Sequence, residues 1–373
     1  MYTQPWLLVP NKVRAEGGRE IDRFRGVSNP TDTPNGAEAW IGSVTKANGV
    51  TAENPNLGCA EVILPDGSRH YLFQVIEENP EAVLGRHHVE RFGNGLGILV
   101  KYLDAKRKFL LQCHPTRPVA KAIWNSDYGK TECWHVISTR EEVPDASIYL
   151  GFKPGITREV FEAAYRRCTL DHMEEVEALC HRIPVKAGET YFIYGGMPHA
   201  LGVGCFVIEI QEPSDLTSVP IPQADLLAFR KKANPKGVFK PIDNAVYERR
   251  TLESFDYTGY ELQDVLSLCR TANPIIRQGA WGEERLIVGK AQTEYFSCTE
   301  LSVHGQINLL DTDAIRIGIV TEGTGELLTE HSTLPIKRGS EVFFPQQAHR
   351  VIAKGDLKIV LCHPAGATLP QGV

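Results

Sequence analysis

The chain has 373 residues, 42% of them hydrophobic, and a formal charge of −6 with acidic and basic residues mixed along its length. A single core stops growing at roughly 250 residues, so two domains are expected, and the mixed charge offers no basic face for nucleic acid or anionic lipid. No run of about 18 apolar residues exists to span a membrane, and the opening "MYTQPWLLVPNKVRAEGG" lacks a basic stretch before its short apolar run, so it does not read as a signal peptide.

Short β-rich runs follow one another along the chain: "EVILPDG", "HYLFQVI", "GILVKYL", "KFLLQCH", "TYFIYGG", "CFVIEIQ", then "YFSCTELSV", "IRIGIVTEG" and "EVFFPQQ". Gly, Pro and Asp turn signals separate them by about 8 to 15 residues, the rhythm of sandwiches and jelly rolls. Helical spacing appears in "TREVFEAAYRRCTLDHMEEVEALCHRI", where Val160, Phe161, Ala164 and Tyr165 share one face, predicting a helical insertion at about 155–183. The stretch "RKKANPKGVFKPIDN" has no apolar period, which puts the domain boundary near its end, with a first domain over 1–245 and a second over 246–373. The nine cysteines are odd in number, widely spaced and free of any Cys-x-x-Cys pair, which suits reduced thiols in a cytoplasm.

A faint long repeat links "VKAGETYFIYGGMPH" to "IKRGSEVFFPQQAHR", about 150 residues later. In the first copy Gly188, Tyr194, Gly195, Gly196 and His199 resemble the second metal-binding motif of the cupin superfamily. In the second copy Gly339 and Pro345 match, but Gln347 replaces a turn glycine and His349 arrives one residue early. A one-residue shift turns a side chain to the other face of a strand, so the second copy reads as a jelly roll without a metal site.

A metal site around His199 needs partners on neighbouring strands. In "KFLLQCHP" Gln112 and His114 are two apart and share one strand face. Such a pair is also satisfied by backbone groups in ordinary cores. Glu132 lies in an apolar setting beside Cys133, Trp134 and Val136, where an unpaired carboxylate is costly and a cation offsets the cost.

Six segments in order, "GAEAW" (36–40), "LVKYLDA" (99–105), "QCHP" (112–115), "YGKTECW" (128–134), "GGMPHALG" (195–202) and "VIEIQEPSD" (207–215), resemble the motifs of class I mannose-6-phosphate isomerases. The resemblance implies a mainly β protein of two cupin-type jelly rolls. It also implies one Zn²⁺ per chain held by Gln112, His114, Glu132 and His199, a donor set that suits zinc or another divalent ion. The implied reaction interconverts mannose 6-phosphate and fructose 6-phosphate through an enediol, in which a proton leaves C2 and returns at C1. Glu209 is the candidate for proton handling, because in "CFVIEIQ" it shares a face with Val207 and Gln211 opposite Phe206, Ile208 and Ile210. Lys130 is the second candidate catalytic group and Lys101 a candidate substrate contact, with a snorkelling surface lysine as the alternative reading of either. Trp40 and Trp134 read as core or cavity wall, and His135 as structural.

Two departures bear on the substrate. Where the family places an arginine four residues beyond the Asp of "PSD" this chain has Val219, and where it places a serine two before the metal-binding glutamine the chain has Leu110. An apolar lining gives a phosphate neither donors nor charge. Three readings stay open: a sugar phosphate isomerase in which Arg230, Lys231 or Lys232 makes up the missing charge, an isomerase of a different or unphosphorylated sugar, and a metal-bearing cupin that senses sugar without turnover. The sequence sets no oligomeric state.

Overall fold

The computed structural model describes residues 1–367 and consists of two jelly rolls packed face to face. The first is a six-stranded antiparallel sheet, running in space Thr190–Ile193, Glu132–Thr139, Cys205–Gln211, Leu99–Asp104, Glu38–Ile41 and Lys12–Arg14, opposed by the three strands His199–Leu201, Ser147–Phe152 and Cys180–Pro184. The second is built on a ten-stranded sheet whose three longest strands are Phe296–Asn308, Arg316–Leu328 and Ile352–Pro364.

Alternation along the central strand Cys205–Gln211 decides how the halves meet. Phe206, Ile208 and Ile210 join Val100, Tyr102 and Cys133 in one apolar cluster with Ile317, Ile319, Phe343, Val360 and Cys362 of the second jelly roll. Val207, on the other face, packs inside the first barrel with Leu103, Trp134, Val136 and Ile148. Both faces of this sheet are therefore covered, and all seven residues of the strand are buried. One face holds the halves together and the other is left to line a site.

Sheet membership does not follow a single cut near residue 245. Trp6–Leu8 pairs with Glu341–Phe344 and with Glu61–Ile63, so N-terminal strands complete the second sheet. Trp6 stacks on Phe343 with ring centroids 5.7 Å apart. In the other direction, Val265 and Cys269 of the helix Leu262–Cys269 pack into the core of the first jelly roll. The strands of the second half begin only at Ile275–Gly279.

The stretch predicted as a helical insertion forms two short helices, Arg158–Tyr165 and Glu174–Ala178, and then returns to the sheet as Cys180–Pro184. Thr157 caps the first by accepting from Val160 N at 3.4 Å. Thr169 and His172 bridge one another in the break between the two. The repeat seen in the sequence survives as matching turns, since Gly188 and Gly339 both have φ of +84°. His349 of the second copy is half-exposed and lies 3.8 Å from Asp311, outside any barrel interior.

Candidate metal centre and its surroundings

Three residues converge inside the first jelly roll. Glu132 opens its strand, His199 opens the strand His199–Leu201, and His114 follows a segment that makes only single bridges, Gln112 to His199 and Cys113 to Ser218. "KFLLQCHP" is thus not the regular strand its composition predicts, because Pro115 ends it and its backbone pairs with two different segments. The turn at Gly195 and Gly196 brings the last member in. Gly196 N donates to His114 O at 2.7 Å, and its φ of +94° is one that glycine adopts without strain.

His114 Nε2 lies 3.3 Å from Glu132 Oε2 and His199 Nε2 lies 3.4 Å from Glu132 Oε1, with both imidazoles and the carboxylate almost wholly buried. Both imidazoles are oriented from behind: His114 Nδ1 donates to Leu216 O at 2.7 Å and His199 Nδ1 to Met197 O at 2.8 Å. That leaves each Nε2 unprotonated and aimed at the carboxylate, the arrangement in which a histidine presents a lone pair to a cation. Burial, and next the Lys130 charge, push His114 down to about 3, and burial lowers His199 as well, so both are neutral at physiological pH. Among the described residues His114, Glu132 and His199 form the group able to hold a metal ion. The amide of Gln112 adjoins them, its Nε2 3.5 Å from His199 Nε2. An amide turned end over end fits the same shape and presents its oxygen.

Lys130 supplies local positive charge. Its Nζ reaches His114 Nε2 at 2.6 Å and pairs with Glu132 Oε2, while Oε1 of Glu132 is buried without a hydrogen-bond donor among the described residues. Burial opposes the Glu132 charge, but Lys130 and the two histidines hold its carboxyl well below the usual range. The neutral donors and the orphaned oxygen fit a divalent ion.

Register sets the neighbouring row. Trp40, Lys101, Glu209 and Trp134 stand directly opposite one another across four strands. Lys101 Nζ lies 3.0 Å from Glu209 Oε1 and 4.9 Å from the centre of the Trp40 ring. Trp134 Nε1 donates to Glu209 Oε2 at 2.9 Å, and its ring meets His199 edge-on at 5.5 Å. Lys101, Lys130 and Glu209 are each at most 3% exposed, so neither lysine is a snorkelling surface residue. Trp134 is at once cavity wall and the donor that fixes Glu209. His135 points away, with Nδ1 on Thr190 Oγ1 at 2.8 Å and Nε2 3.7 Å from Glu300 of the second jelly roll.

The row continues into an ion cluster that sequence reasoning missed. Trp40 Nε1 donates to Glu38 at 3.2 Å, Glu38 pairs with Arg14 at 2.9 Å, and Arg14 grips Asp215 with two bonds of 2.7 and 2.8 Å. Asn48 adds a bond of 2.9 Å to Asp215. Against the cost of burial, Arg14 holds the Asp215 carboxyl far below its ordinary range, with Lys101 and Lys130 adding to the effect. Glu38 and Asp215 lie inside quoted motifs, but Arg14 sits in an N-terminal stretch with no pattern of its own.

Comparison with known proteins accords with this geometry. Residues 290–364 match the family described as "Mannose-6-phosphate isomerase, cupin domain". The Bacillus subtilis (strain 168) protein named "Putative mannose-6-phosphate isomerase YvyI" is 28% identical over 366 residues, 97% of this chain and 100% of that protein. The crystal structure of the mannose 6-phosphate isomerase from Bacillus subtilis shares the fold with a TM-score of 0.70 at 22% identity, covering 96% of this chain and 99% of that one. A zinc-bound mannose 6-phosphate isomerase structure aligns with a TM-score of 0.66 at 15% identity over 97% of this chain and 100% of that one. No helix among the described residues is long and apolar enough to cross a membrane.

Proposed function

We propose that this chain, which belongs by sequence and fold to the class I, cupin-fold mannose-6-phosphate isomerase family, is a zinc-dependent aldose–ketose isomerase interconverting mannose 6-phosphate and fructose 6-phosphate. The observation that carries this reading is the pair of neutral imidazoles, each fixed through Nδ1 and aimed at a buried carboxylate, one residue row from Glu209 and Lys101. His114, Glu132 and His199, with the Gln112 amide oxygen, hold the ion. A zinc ion bound there supplies a Lewis acid for the sugar oxygens.

The chain's own residues do the remaining work. Glu209 takes the proton from C2 of the open-chain aldose and returns it at C1. Its two oxygens are held by Lys101 and Trp134, and a carboxylate has about four lone-pair positions, so acceptor capacity remains. Lys130 and Lys101 place positive charge beside the developing enediolate, in a site whose burial strengthens that interaction. The catalytic unit is the first jelly roll, and the second, whose own strands begin at Ile275, covers its apolar face and carries no metal. All nine cysteines are buried and unpaired, which fits a reducing cytoplasm.

The test is isomerisation of mannose 6-phosphate beside free mannose and other aldoses, using protein stripped with a chelator and reloaded with zinc. Turnover is expected only in the loaded protein. His199→Ala is expected to lose bound zinc and activity together, and one equivalent of metal retained by that variant overturns the ligand assignment. A parent protein that binds sugar but forms no isomer is a sensor, and the enzyme reading fails.

A further inference from the structure

The positions predicted to have lost an anion site are apolar in three dimensions too. Val219 is buried, and Leu110 packs beside it in a cluster that includes Ile221, Leu226 and Tyr247. Leu226 is the buried residue of the helix Gln223–Ala233, and one turn later on the same face stands Arg230. Of the three cations in this run, Lys231 donates to Gly237 O at 3.2 Å and Lys232 is exposed. Arg230 alone of the three is half-buried.

Arg230 is also without a carboxylate partner among the described residues. The other cations of the site are paired: Lys130 with Glu132, Lys101 with Glu209, Arg14 with Glu38 and Asp215. Asp215, the carboxylate acting on Arg230, is committed to two bonds from Arg14 and one from Asn48. Burial, and then the charge of Arg14, pull Arg230 below the ordinary arginine range, with only partial compensation from Asp215 and Tyr247. The helix end carrying Arg230 lies near that pair, since Asn234, one turn beyond Arg230, donates to Gly49 O at 2.9 Å and the adjacent Asn48 bonds Asp215. A half-desolvated guanidinium beside another cation is costly, and an anion bound there offsets the cost.

We infer that Arg230, beside the Arg14–Asp215 pair, binds the phosphate of the substrate, taking over a task that Val219 and Leu110 cannot perform. The inference rests on the isomerase reading and deepens it by naming the residue of this chain that holds the substrate's phosphate. Charge balance agrees. Four cations face four carboxylates in this site, a divalent ion adds two positive charges, and a phosphate ester carries roughly −1.5 to −2 near pH 7. The guanidinium fork matches two phosphate oxygens at once, which a lysine ammonium does not.

The experiment compares parent, Arg230→Met, Arg230→Lys and the surface control Lys232→Met, all zinc-loaded. Arg230→Met is expected to raise KM for mannose 6-phosphate about ten- to hundredfold while lowering kcat far less, the loss of a charge-assisted, ground-state contact. Arg230→Lys restores part of the loss, and Lys232→Met behaves as the parent. An unchanged KM in Arg230→Met overturns the assignment. Calorimetric titration of parent and Arg230→Met with inorganic phosphate separates this result from failure of the isomerase reading. If the parent isomerises no aldose, phosphate binding that weakens in Arg230→Met still upholds the anion site, and equal binding in the two proteins removes it.

Discussion

Glu209 shows how much a single position takes from its neighbours. Its register opposite Lys101 and Trp134 gives one oxygen an ion-pair partner and the other a hydrogen bond, so the carboxylate is fixed in direction. Glu209→Gln keeps the shape and the Trp134 contact but cannot accept a proton. It is expected to bind zinc as the parent does, to lose about 10²- to 10⁴-fold in kcat, and to stop exchanging the C2 hydrogen of substrate with solvent deuterium. Normal exchange by NMR in that variant removes Glu209 from proton transfer. The alternation of "CFVIEIQ" made this residue legible in sequence. Arg14 was not, because its importance comes from Asp215, 201 residues away, and a lone arginine in a three-residue strand carries no periodic signal. Arg230 was only one of three adjacent cations until the helix face singled it out.

At the scale of elements, the site depends on a turn as much as on strands. Gly196 connects Thr190–Ile193 to His199–Leu201, and its N–H and C=O bond to His114 O and Asp256 N. A Cβ there would lie 3.1 Å from Asp256 Cβ, on a backbone whose φ is +94°. Gly196→Ala is therefore expected to cost about 1–3 kcal/mol in urea unfolding and to weaken zinc retention in a chelator competition, because relief of the strain displaces His199 and His114 together. A variant as stable as the parent, with equal zinc affinity, overturns this account of the turn. The glycines of "GGMPH" were readable because a turn next to a ligand demands them. The helical insertion was legible from its apolar spacing, but its division into two helices was not, since that spacing continues through Cys168 and Met173 while "TLDH" breaks the backbone between them. Likewise "KFLLQCHP" has strand composition but shares its hydrogen bonds between two partners, a pairing that only the tertiary structure decides.

The two halves are held together by an apolar face with a buried ion pair inside it. Arg25, following the helix Arg19–Phe24, donates from Nε to Glu341 Oε1 at 2.8 Å, and both side chains are almost wholly buried where the first jelly roll meets the second. The guanidinium lies 5.2 Å from the centre of the Tyr102 ring, on the strand that also carries Lys101. Such a pair adds little net stability, because desolvating two charges consumes most of their attraction, but removing one partner strands the other. Glu341→Ala is expected to destabilise the protein by about 3–5 kcal/mol in guanidinium chloride unfolding, whereas Arg25→Met combined with Glu341→Leu returns close to the parent. A double variant no more stable than Glu341→Ala alone would mean that the pair itself, and not the avoidance of an orphaned charge, holds the halves together. Because Tyr102 and Lys101 are adjacent on one strand and face opposite ways, a shift of the interface transmits directly to the Lys101–Glu209 pair. Loss of docking in Glu341→Ala should therefore lower kcat more than zinc content, and the double variant should recover both together with stability.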